Sequence, residues 1–225
     1  MGIALHDGYR KQFLSEMMVS EPFLPYSKVR PLFELRTSAG VASAWKPALP
    51  LGELPEELNR VWRTMSEFCS VVNFAFMSNQ LFSLQTFLDT MTSVMYRLLA
   101  MDYEPDSKNN TIRLGLLVFS CSIFLQWHHL GLTYRSVTSE YRSGLMKLES
   151  LQIEPCLALW LLTVGAVVVF NKNDDWWLTP LLHTNLDLCD VHSWNEMKNL
   201  LESVMWVPAL HDKKGKYIFS SATAR

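Results

Sequence analysis

The sequence predicts an all-α protein, an array of about seven or eight packed helices preceded by an extended, proline-containing N-terminal arm. Three observations carry that expectation. Beyond Leu54, apolar residues recur at three- and four-residue steps, the spacing that gathers them on one face of a helix. No stretch alternates at period two beyond the short Tyr217–Phe219. Glycine is sparse, 9 in 225 residues, while Trp, Phe and Met number 8, 12 and 11. That balance suits packed helices better than a glycine-rich nucleotide fold or a turn-rich sandwich.

The chain divides at Leu54. In residues 1–53, Leu5, Tyr9, Phe13 and Met17 mark a short amphipathic helix. Pro22, Pro25, Pro31, Pro47 and Pro50 then forbid a long helix and leave an arm. Residues 54–215 form the helical domain. It opens at Pro55-Glu56-Glu57, with acids at the positive end of the helix dipole, and continues through Leu58, Val61, Trp62, Met65, Phe68, Cys69 and Val72. Leu84 to Leu99 repeats the pattern. A polar loop is expected over Asp102–Asn110, then an apolar run from Leu114 to Trp127. A helix is expected over Ser136–Leu151, and Pro155 opens another over Cys156–Phe170. Asp174-Asp175 reads as the cap of a helix through Leu186. Ser193-Trp194-Asn195-Glu196 reads as a capping box for Trp194–Trp206. After Pro208, His211 to Gly215 reads as a turn and residues 216–225 as a tail.

The net charge of −2 and pI of about 6.3 lack the basic excess that a free-standing nucleic-acid binder relies on. Cys69, Cys121, Cys156 and Cys189 are scattered through apolar segments, and the first twenty residues carry too many charges for a signal peptide. The cysteines therefore read as reduced, buried hydrophobes of an intracellular protein that is not secreted. Asn109-Asn110-Thr111 is formally a glycosylation sequon, taken as a polar loop. The apolar runs Leu114–Leu125 and Cys156–Phe170 fall short of the ~18–20 residues a membrane span needs, so both are expected as core helices.

Chemistry-bearing patterns are few. The phosphate cradles GxGxxG and GxxxxGK[ST], the nucleophile elbow GxSxG and the zinc motif HExxH are all absent. Asp174-Asp175 precedes Trp-Trp-Leu rather than further carboxylates, which favours capping over magnesium binding. Cys189 and His192 have half the spacing of a zinc site, with only the adjacent His128-His129 to complete it. Neighbouring histidines on a helix diverge, so a structural role is expected for them. Arg135, Arg142 and Lys147 share a helix face suited to a solvated surface or a partner, and Lys213, Lys214 and Lys216 form a short charge cluster. No catalytic, cofactor-binding or metal-binding residue is assigned.

Four segments together resemble a known family. They are Thr90–Leu99 (TMTSVMYRLL), Ile112–Trp127 (IRLGLLVFSCSIFLQW), Leu157–Phe170 (LALWLLTVGAVVVF) and Trp176–Gly215, the last containing WWLTPLL, SWNEMKNLLESVMW and LHDKKG in order. This arrangement, from about Leu54 to Gly215, resembles the fungal-specific transcription factor domain, the helical region that follows the zinc-cluster DNA-binding domain in fungal regulators. The resemblance implies a non-enzymatic regulatory domain acting in the nucleus through protein partners of the transcription machinery or a DNA-binding partner. That picture includes a small-molecule effector in a cleft between helices. The chain departs from the family pattern because its four cysteines are widely separated and no basic linker follows them. Direct nucleic-acid binding is therefore not expected. The alternative is a helical enzyme with an aromatic-lined apolar pocket, and a membrane-associated protein ranks third.

Overall fold

The computed structural model describes residues 54–78, 84–125 and 135–223. The expected N-terminal helix and arm and the His128-His129 pair lie outside these residues. Among the described residues the chain is all-α, with eight α-helices and no strand. They are α1 (Glu56–Met77), α2 (Leu84–Ala100), α3 (Lys108–Phe124), α4 (Arg135–Leu145), α5 (Pro155–Val168), α6 (Asp175–Leu188), α7 (Trp194–Val204) and α8 (Pro208–Thr223).

The two longest unbroken buried stretches form the centre. α3 is buried continuously from Asn110 to Phe124, and α5 from Leu157 to Gly165. A helix without a polar face has to be surrounded by others. Here α1, α2 and α4 pack on α3, while α6, α7 and α8 pack on α5. The central pair meets at Gly115, where a Cβ would run into the Leu161 side chain. The Tyr141 hydroxyl of α4 enters the same junction and donates to the Leu161 carbonyl at 2.8 Å. No helix among the described residues is long and apolar enough to cross a membrane.

Local punctuation explains most helix ends. Ser107 caps α3 by accepting from the Asn110 amide at 3.2 Å. The expected loop therefore ends early, and Asn109-Asn110-Thr111 lies in the first turn of α3, with Asn110 and Thr111 buried. The polar-loop reading of that sequon is overturned. α4 stops at Leu145 rather than Leu151, because a tighter bond from the Lys147 amide to the Gly144 carbonyl breaks the helical ladder. α6 closes with Asp190 at φ 54°, its amide bonded to the Asp187 carbonyl and that of Val191 to Leu186. This is the Schellman pattern, and Val191 and Leu186 are both buried there. The capping box of α7 forms as expected, Ser193 accepting from the Glu196 amide while Glu196 accepts from the Ser193 amide at 2.9 Å. That helix ends at Val204, two residues before Trp206.

The turn expected at His211–Gly215 and the tail from 216 give way to one helix, α8, running from Pro208 to Thr223. Gly215 serves contact rather than turning, since a Cβ there would lie 2.8 Å from Trp194 and 3.1 Å from Trp206. His211 is buried in the first turn of α8, between the rings of Phe119 and Trp206 at 5.4 and 4.9 Å. Ser122 gives its single proton to the Phe119 carbonyl at 2.6 Å. The 3.0 Å contact between Ser122 Oγ and His211 Nε2 therefore has the imidazole as donor.

Candidate functional site

The chain turns between α5 and α6 through a short 3-10 turn, Lys172–Asp174, and the site grows from how that corner is fixed. Asp174 and Asp175, read together as a helix cap, separate in role. The Asp174 side chain makes no cap bond to α6. It is buried and accepts from the Asn171 amide at 3.1 Å, the Trp177 indole at 3.3 Å and the Arg142 guanidinium at 2.6 Å. An isolated buried carboxylate is costly, and these three donors offset its lost hydration. Arg142 also lies 5.8 Å over Phe170, which meets Trp177 edge-on at 5.0 Å. Asp175 stays exposed as the first residue of α6.

Beside this corner the ends of α5 and α6 and one face of α8 enclose a groove of about 320 Å³. Its apolar wall is built from Val167, Leu178, Leu182, Ile218 and Ala222, and its rim carries Lys172, Asp175, Lys214 and Tyr217. Lys214 Nζ donates to the Val167 carbonyl at 3.2 Å, placing a cation at the negative end of α5. An aliphatic wall with charge confined to the rim can desolvate an apolar body and orient its polar end.

The remaining candidates are dispersed. Lys147 pairs with Asp106 at 2.6 Å, and Ser143 donates to the same carboxylate. With Arg142 on Asp174, two of the three basic residues of that expected face are engaged in holding the fold, and Arg135 is exposed at the start of α4. His192 contacts Asp190 at 2.8 Å on the surface. Cys189 turns instead toward Cys156, Sγ to Sγ at 3.6 Å. Among the described residues no group of three or more His, Cys, Asp or Glu is arranged to hold a metal.

The aromatic interior is filled by its own rings. Trp160 lies 5.5 Å from Trp62 and 5.4 Å from Phe119, and its indole donates to the Met205 carbonyl. No family model matches the chain, and no curated protein and no solved structure matches it.

Sequence reasoning missed the groove, the Arg142–Asp174 tie and the Cys156–Cys189 contact because each joins residues more than thirty positions apart. It also missed the Arg113 cluster, for which a signal existed. Arg113 opens an apolar run, and an arginine so placed needs partners if the run is buried. Its guanidinium donates twice to Asn110 Oδ1, at 3.0 and 2.7 Å, and once to the Leu98 carbonyl at 3.1 Å, while Asn110 donates to Glu140 at 2.8 Å.

Proposed function

We propose that the chain is a non-enzymatic helical regulatory domain of a fungal transcription regulator, working in the nucleus through protein partners rather than by reading DNA itself. The groove between α5, α6 and α8 is its point of control, receiving a small-molecule effector. The observation that carries this reading is the origin of the groove. Its walls come from Leu157–Phe170 and Trp176–Gly215, two segments that bear the family resemblance, together with the part of α8 that follows them. Two further features support it. The aromatic side chains around Trp160 are packed against one another, and Asp174, Arg142 and Lys147 are tied into ion pairs of the fold.

The test is a tethered reporter. Fused to a heterologous DNA-binding module in a fungal host, the domain should raise or lower transcription relative to the module alone. Reporter output indistinguishable from the module alone, with the fusion present and nuclear, would remove the reading.

A further inference from the structure

Cys156 lies in the first turn of α5 and Cys189 caps the C-terminus of α6, so the antiparallel pairing of these helices brings together two thiols that are 33 residues apart. The sulfurs are 3.6 Å apart, with the Cys189 thiol donating toward Cys156. A disulfide needs about 2.05 Å, and side-chain rotation at two helix ends supplies an approach of that size more readily than movement of a packed core. The remaining cysteines differ. Cys69 and Cys121 are enclosed in the core, whereas Cys156 is only partly buried, at the edge of the α5–α6 pair.

We propose that Cys156 and Cys189 are a reversible dithiol–disulfide site, closed by a peroxide and opened by a thiol reductant. Cys156, the more accessible sulfur, attacks the peroxide oxygen. The O–O bond breaks, an S–O bond forms, and Cys156 becomes a sulfenic acid with release of water. The Cys189 sulfur then displaces the hydroxyl, which leaves as a second water with the Cys189 proton. Two thiols and one hydrogen peroxide yield one disulfide and two waters, the sulfurs giving up the two electrons that reduce the peroxide. Burial, reinforced by the neighbouring Cys156 sulfur, pushes the Cys189 thiol up to about 12, so the first attack falls to Cys156 and Cys189 acts through its proximity. The inference stands apart from the regulatory reading. A disulfide here would staple the two helices whose opposite ends form the groove.

The experiment uses the full chain, reduced, treated with a small excess of hydrogen peroxide, then denatured and blocked with N-ethylmaleimide. The expected result is two blocked thiols, Cys69 and Cys121, and one dithiothreitol-sensitive link between the tryptic peptides carrying Cys156 and Cys189. Closing a loop of this length should raise the thermal midpoint by roughly 5–10 °C. In Cys189→Ser, the Cys156 sulfenic acid should persist and react with dimedone. In Cys156→Ser, Cys189 should remain a thiol. Four blocked thiols, sulfinic acid at Cys156 of the wild type, or a link between two molecules would each overturn the proposal. The wild-type peptide map decides it even if a variant does not fold.

Discussion

Arg113 shows how one residue joins three helices. Only 1% of its surface is exposed, yet its donors satisfy Asn110 on α3 and the Leu98 carbonyl near the end of α2, and Asn110 in turn holds Glu140 of α4. Arg113→Met keeps most of the volume and removes the charge, leaving Asn110 Oδ1 and the Leu98 carbonyl without their donor and Glu140 without its nearby cation. The expected loss is about 3 kcal/mol in denaturant unfolding. Two surface carboxyls set a pH dependence. Asp106 is held below the ordinary carboxylate range by Lys147 and Ser143, and Glu196 by the His192 amide and the Ser193 hydroxyl. A folded value below the unfolded one contributes stability at higher pH that is lost as pH falls through the folded value. Glu202, raised by burial, has the opposite sign and offsets part of this. The thermal midpoint should therefore fall on acidification below about pH 4, and the double variant Asp106→Asn, Glu196→Gln should flatten that fall.

At the scale of elements, the sequence was most legible where the signals were local. Pro55 with two acids opens α1, and Ser193 with Glu196 opens α7, since capping chemistry acts over three or four residues. Ser193→Ala should cost about 1 kcal/mol in thermal unfolding. α8 was illegible for the opposite reason. Lysines around a glycine look like a turn, and only the approach of Trp194 and Trp206 explains why glycine sits inside a helix. Gly115 makes the same point at the crossing of α3 and α5. Gly115→Ala should lower stability by about 1–3 kcal/mol despite alanine's better helix propensity, because its methyl would need the space of Leu161.

For the whole molecule, among the described residues, two continuously buried helices wrapped by six others make one core, and that class of fold followed from composition and periodicity. The groove did not, because its rim joins Lys172 to Lys214 and depends on how α5, α6 and α8 pack. The Asp174 anchor was hidden likewise: a capping signal is local, whereas its guanidinium partner comes from α4. The central claim, that regulatory output passes through this groove, is tested most directly by filling it. Ser221→Trp places a large ring at the groove from an exposed position of α8, away from the core. In the tethered reporter, with the thermal midpoint of the purified domain unchanged, the account predicts that Ser221→Trp abolishes the wild-type effect on transcription. A variant equally folded and equally active would contradict it.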